Sequence, residues 1–446
     1  MNAISKVSRV TAAMALVSGV VYGQQPPDVV VSDTFFNTAM GTGALLNLTP
    51  SQCYSQGCAN TAVGYYALYS NSVGEYNTAS GASALFSNTI GFENTASGAY
   101  ALQSNTTGSE NTASGLYALF SNTSGAQNTA AGVSALQYNT TGSYNTAVGS
   151  FTMLANTSGN YNTGIGISSL ASNSTGDSNT ATGYAALITN STGNNNTASG
   201  YDAMFSNTTG GSNTASGNNA LYSNTTGNSN AAYGVGALYS NTTGIYNTAN
   251  GYQALRSATT GTSNIAMGYR AGYNLTTGNS NIDIGNAGGV VDVNTIRIGT
   301  KGTQDKTYIA GIYDVSVTGQ AVMVSASGQL GVVVSSERFK TAIEPMGLDT
   351  AKLQQLRPVK FHLKTDPKGA LQYGLIAEEV AKVYPDLVVR DNNGRIDGVR
   401  YDELAPMLLN EVQQQTAEIR DLKKLVVEMQ AGLLKLQSKD QVVARR

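Results

Sequence analysis

The chain has 446 residues, enough for two or three ordinary domains, but its composition is not that of an ordinary globule: 50 glycines, no tryptophan and only 12% charged residues. Of its 52 Asp, Glu, Lys and Arg residues, 8 lie between Asn60 and Gly285 and 34 lie from Ser335 onward. A formal net charge of -2 gives no electrostatic reason to expect nucleic acid or an acidic membrane as partner.

Residues 1–23 read as a secretory signal peptide. Lys6 and Arg9 make a basic start, "VTAAMALVSGVV" is a short apolar run, and Val21-Tyr22-Gly23 places small residues near the cleavage position. The run is short for a bilayer span, and no later segment is apolar enough to make one. An exported, soluble mature chain starting near Gln24 is expected. Residues 24–59 form an N-terminal cap, in which the two cysteines of the chain, Cys53 and Cys58, stand in "CYSQGC". In an exported protein, two close cysteines are expected to form a disulfide across a small loop. A metal centre needs about four ligands, and the single histidine, His362, lies far away in sequence. No metal and no cofactor is expected.

From 60 to 285 the sequence repeats itself. Asparagine recurs at 60, 77, 94 and on to 281, every 17 residues without an insertion. One unit, 94–110, reads "NTASGAYALQSNTTGSE". A period this short and regular predicts a β-solenoid, in which each unit is one coil that buries its apolar positions against its neighbours. "NTAxG" reads as a short strand ending at a glycine corner. "YALxSN", which carries the recurring Leu68, Leu85, Leu102, Leu119 and Leu136, is either a second strand or one helical turn. "NTTG" is a turn. Stacked at about 4.8 Å per coil, the repeats would make a rod of roughly 60 Å.

One leucine and two alanines per coil are a thin core, so the apolar face is expected to meet other chains, three of them around one axis burying the Ala or Leu ladder. The region resembles the heads of trimeric autotransporter adhesins, in which Asn- and Gly-punctuated coils form parallel β-rolls around a threefold axis. Those adhesins end in a membrane β-barrel, whereas this sequence ends in "DQVVARR" without alternating apolar strands, so autotransport is not expected. Calcium-binding repeats need regular aspartates, which are missing. Ice-binding solenoids present paired threonine columns, but here alanine follows threonine, as in Thr95-Ala96. The many N-x-[ST] triplets follow from the repeat itself. A spacer is the first reading of the rod. A low-affinity surface for a glycan or other host ligand is the second.

Residues 286–334 leave the period but stay β-like and read as a stalk. From Leu348 a small α/β domain is expected: "LDTAKLQQL" is amphipathic, "VKFHLK" alternates, and "YGLIAEEVAKVYPDLVV" is a strand running into a helix. His362 in the alternating strand reads as packing or surface. Between 408 and 443 residues fall at heptad spacing, through Leu408, Val412, Gln415, Ile419, Leu422 and Val426 and on to Val443, mostly apolar with Gln415 the polar core position, which predicts an oligomerising coiled coil. The competing reading is a long helix packed on its own domain.

The ordered blocks "SSERFKTAI", "LRPVKFHLK", "YGLIAEEVAKVYPDLVV" and "GVRYDELAPMLLNEVQQQ", between Ser335 and Gln415, closely resemble the C-terminal intramolecular chaperone domain of phage endosialidases and tail fibres. That resemblance implies a domain, 335–415, that trimerises, helps an upstream β-fibre fold, and then cuts itself off as a serine peptidase with a Ser–Lys dyad. The family pattern Ser-Asp-x-Arg-x-Lys, aligned on Arg338, implies Ser335 as nucleophile and Lys340 as base. Ser336 stands where the pattern has aspartate and is the fallback nucleophile. Residues five apart on one helix would point about 140° from each other, so Ser335 is expected on the strand or turn before a helix that carries Lys340. The plain alternative is Ser335 or Ser336 as a helix N-cap. Three functions are therefore in play: a self-releasing homotrimeric fibre, a trimeric fibre that never cuts, and a monomeric ligand-binding solenoid.

Overall fold

A computed structural model describes residues 31–49, 58–304, 306–309, 322–325, 327–332, 334–391 and 393–443. The expected signal peptide lies outside these residues, as does part of the expected stalk. The chain divides into two compact units, 1–315 and 316–446.

The first unit is a parallel β-solenoid. After β1 (Val31–Ser32) and β2 (Thr38–Met40), which pair antiparallel, fourteen three-residue strands follow as β3–β16, from Thr61–Val63 to Ile282–Ile284. Each pairs in parallel with the next at one-coil offset, as in Thr95↔Thr112 and Ala96↔Ala113. The ladder runs past both ends of the strict repeat. β2 pairs with β3, and β17 (Ile296–Ile298) pairs with β16.

Alternation explains the strands. In Thr95–Ser97 the threonine and serine face out and the alanine is buried, the period-2 geometry of an extended chain. Two polar ladders share the interior. Asn94 donates Nδ2 to Asn77 Oδ1 at 3.0 Å and to the Gly108 carbonyl at 2.9 Å. Asn105 donates to Asn88 Oδ1 at 2.8 Å and to the same Gly108 carbonyl, also at 2.8 Å. A Cβ on Gly108 would lie 2.4 Å from the Gly125 carbonyl and 2.5 Å from Asn105 Oδ1, so a side chain there would break the stack. These buried amides are satisfied coil by coil, which is what makes a polar interior tolerable.

The "YALxSN" stretch is neither strand nor helical turn. Tyr100 (φ 60°) and Leu102 (φ 52°) both sit in the left-handed region, which costs an L-residue about 1–2 kcal/mol. Hydrogen bonds to both neighbouring coils hold them there: Tyr100 N–H donates to the Ala82 carbonyl at 2.8 Å and Leu102 N–H to the Ala118 carbonyl at 3.0 Å. The turn tips the leucine inward, where full burial contributes about 1.5–3 kcal/mol. Leu85, Leu102 and Leu119 and the alanines beside them have no exposed surface. This corrects the expectation that a threefold axis would bury the Ala or Leu ladder. Each chain buries both ladders inside its own coils.

The buried asparagines also answer for the glycosylation triplets in the turn of the repeat. Asn105, Asn122 and Asn139 begin such triplets, are fully buried, and use their amide nitrogens in the ladder. A folded rod offers them to no transferase.

The second unit begins with an antiparallel hairpin, β18 (Val322–Val324) and β19 (Leu330–Val332). A second antiparallel pair joins β20 (Val359–Phe361) to β21 (Gln372–Gly374). Then come helix α1 (Ala377–Val383), the pair β22 (Val388–Arg390) and β23 (Ile396–Val399), and the long helix α2 (Tyr401–Val443). The core is small: Val380, Leu387 and Val388, with Leu356, Leu375, Tyr384, Leu404 and Met407 packed around them.

The last helix packs on its own domain through one face and leaves its heptad-spaced residues exposed. Glu411, Asn410 and Gln414 bond into the segment 347–354, Glu411 accepting from Thr350 Oγ1 at 3.3 Å and Gln354 Nε2 at 3.1 Å. The heptad residues Leu408, Val412, Ile419, Leu422, Val426 and Met429 are all exposed. The face that packs and the face at heptad spacing are thus separate.

Candidate functional site

Ser335 follows β19 in the second unit, and the chain then makes one 3-10 turn, Glu337–Phe339. Phe339 N–H bonds to the Ser336 carbonyl at 3.0 Å and Lys340 N–H to the Glu337 carbonyl at 2.9 Å. Lys340 leaves the turn extended (φ -120°, ψ 148°). The expected helix under Lys340 is therefore a single tight turn. Its effect is the one required, because it folds residue 340 back toward residue 335. Lys340 Nζ donates to Ser335 Oγ at 3.4 Å.

Ser336 occupies the N-cap position of that turn (φ -63°, ψ 141°), yet its side chain makes no capping hydrogen bond. The plain N-cap reading thus lacks its defining contact. Arg338 lies 4.7 Å over the Phe339 ring, a cation–π contact that occupies the residue on which the pattern was aligned. Ser335, Ser336 and Lys340 are all exposed.

Residues 335–389 match the family model described as "Chaperone of endosialidase", peptidase S74. The match begins on Ser335 and ends within β22. No curated protein and no solved structure matches the chain. A chaperone-of-endosialidase domain therefore follows a β-solenoid in this chain.

Within the chaperone domain the structure brings Ser335 and Lys340 together and leaves His362 apart from them in its contacts. His362 Nδ1 lies 3.0 Å from the Gly369 carbonyl, within its own hairpin. The residue that sequence reasoning passed over is Glu411, nine-tenths buried on α2 and accepting from Thr350, Gln354 and Gln415. Its signal was available: a glutamate four residues past Met407 that breaks the apolar stripe of Leu404 and Met407 toward the domain.

At the rod's other end Cys58 is fully buried and disulfide-bonded; Cys53 lies outside the described residues. Among the described residues no group of His, Cys, Asp and Glu could hold a metal ion, and no helix is long and apolar enough to cross a membrane.

Proposed function

We propose that this chain is an exported homotrimeric fibre, akin to phage tail fibres. Its chaperone domain assembles the trimer and then releases itself by a single Ser335–Lys340 cut. The observation that carries the reading is the Ser335–Lys340 contact at 3.4 Å, made where the chaperone-family match begins. Two further observations support assembly. The heptad face of α2 is exposed along its length, and large apolar residues around the site, Phe339, Ile343 and Leu348, are 56, 62 and 80% exposed. Apolar surface on this scale marks an association site.

The chemistry is ordinary acyl transfer. Ser335 Oγ attacks a carbonyl carbon beside residue 335 while its proton passes to the neutral Lys340 amine. The C–N bond breaks as that proton moves on to the leaving nitrogen, and water then hydrolyses the ester. A lysine works as a base only where its ammonium is desolvated. Lys340 is exposed in the single chain, so burial by neighbouring copies is the step that would start the reaction. Assembly would then precede the cut, and the chaperone would not be lost before its work is done. Outside the cell, a Cys53–Cys58 disulfide would close the rod's N-terminal end.

Intact mass of the purified chain tests this directly. The wild type should split near residue 335 into a rod and a tail, while Ser335→Ala and Lys340→Ala stay full length and trimeric by light scattering. If Ser336→Ala blocks the cut and Ser335→Ala does not, the nucleophile is the neighbouring serine. A folded trimer that remains full length would identify a fibre that keeps its chaperone, in line with Ser336 standing where the family has aspartate. A monomer would leave only the ligand-binding solenoid.

A further inference from the structure

The seven charged residues between Asn60 and Ser280 fall only at the seventh, tenth, sixteenth and seventeenth places of their coils, as with Asp202, Arg256, Asp177 and Glu110. None falls at the second to sixth places. The sixth place, just past the glycine corner, is also where exposed apolar residues concentrate. Tyr65, Ile167, Tyr184, Tyr201, Val235 and Tyr269 stand there, between 47 and 69% exposed. Val148, Ile165, Tyr233 and Met267 at the fourth place flank them, between 40 and 51% exposed. The result is an apolar ridge along the rod with no charged residue at its own places, although Arg270 beside it lies 5.5 Å over the Tyr269 ring. Fewer exposed apolar residues stand at the seventeenth place: Tyr76, Tyr144, Tyr161 and Tyr246.

We infer that this ridge is the face by which the rods of neighbouring copies meet, side by side and in register, with the sixth-place residues against one another. The inference rests on the trimeric reading above and names the surface that reading leaves open. The occupant follows from pitch. A partner matching this ridge over its whole length must itself repeat once per coil, and a second rod does so at no cost in distortion. Area points the same way. About thirteen coils at ~4.8 Å give a ridge of roughly 60 Å, and at ~10 Å width roughly 600 Å² per rod, short of the ~800 Å² per partner of a stable interface. The ridge would be too weak alone, yet sufficient between copies already joined through α2, where the effective concentration reaches about the millimolar range. Ring geometry disfavours a sugar as occupant. Tyr184 and Tyr201 stack on each other at 5.2 Å, as do Tyr252 and Tyr269 at 5.6 Å. Those rings spend their faces on one another along the rod, whereas a bound sugar would need an open face.

Disulfide trapping in the full-length chain tests the face. Val235→Cys (sixth place) and Tyr246→Cys (seventeenth place) change exposed residues, so both variants should fold. After mild oxidation, Val235→Cys should lose most of its monomer band to a covalent dimer on a non-reducing gel, and Tyr246→Cys should keep its monomer band. A trimer by light scattering that traps equally at both places, or only through Tyr246→Cys, would overturn the inference while leaving the trimeric reading intact. A monomer by light scattering would overturn both.

Discussion

Asn241 Oδ1 is buried without a hydrogen-bond partner. In every coil before it, the next asparagine of that ladder donates to this atom, but here the next position is Ala258, followed by Leu275. The ladder has a direction, each amide nitrogen pointing back to the previous oxygen, so its last oxygen must be orphaned wherever the column turns apolar. This predicts an asymmetry between two like substitutions. Asn139→Ala would orphan a second oxygen, on Asn122, which now accepts from Asn139 at 2.7 Å. Asn241→Ala would only move the existing orphan to Asn224, which now accepts from Asn241 at 2.8 Å. Thermal unfolding should therefore show Asn139→Ala the more destabilising, by about 1–3 kcal/mol, the cost of one additional unsatisfied buried group. Equal losses would show that the ladder has no such direction. Glu93 offers a second test at this scale. It is exposed and left-handed (φ 55°), so Glu93→Gly should stabilise the rod by about 1 kcal/mol, since glycine takes that conformation freely.

Among the elements, the terminal coil behaves differently from those before it. Asp283 takes the inward place that Ala266 holds one coil earlier, and faces Arg297 in the next strand. Arg297 is committed to Asp292, at 2.6 Å, leaving Asp283 nearly buried beside a second carboxylate. Burial first, then the Asp292 charge, raises the Asp283 carboxyl from 3.8 to about 6, with Arg297 opposing. The folded state thus holds this proton more tightly than the unfolded chain does. Stability from it is fully present below about pH 4 and is lost as the pH rises through about 6. Asp283→Asn should accordingly stabilise this coil at pH 7 by on the order of 1–2 kcal/mol, allowing for solvent screening at the end of the repeat, and make no difference at pH 4. Hydrogen exchange of 281–298 at both pH values reads this locally, and a pH-independent difference would count against it. The coils were legible from the asparagine spacing, and the strands from Thr-Ala-Ser alternation. The left-handed turns at Tyr100 and Leu102 were not, because bonds between coils impose them on residues that do not prefer them. The buried leucine was misassigned to a chain interface for the same reason. At the site, the pairing of Ser335 with Lys340 was legible from the family pattern, whereas spacing on a regular helix would have kept the two apart. The 3-10 turn that makes it was not legible, since three residues carry no periodicity.

At the scale of the whole molecule, the proposed assembly is expected to be separable from folding of the rod. The rod's core lies within each chain, so no second chain has to supply it, and in the proposed trimer the exposed heptad face of α2 is the element expected to set chain number. Leu422→Glu with Leu433→Glu should give a monomer by light scattering whose rod keeps its β-sheet circular dichroism, because both residues are exposed and the solenoid's ladders are buried within its own coils. Loss of sheet signal along with the trimer would mean that the rod needs its neighbours to fold. The constant register between coils carries one more consequence. Each strand finds its partner exactly one unit later, so excising 111–127 would join Glu110 to Asn128 and restore every ladder. Taking out one residue fewer would rotate every later residue off its place. The rod is therefore a ruler graduated in whole coils. Tandem duplication or loss of a unit in the gene can lengthen or shorten its reach by about 4.8 Å at a time, while the chemistry at either end stays as it was.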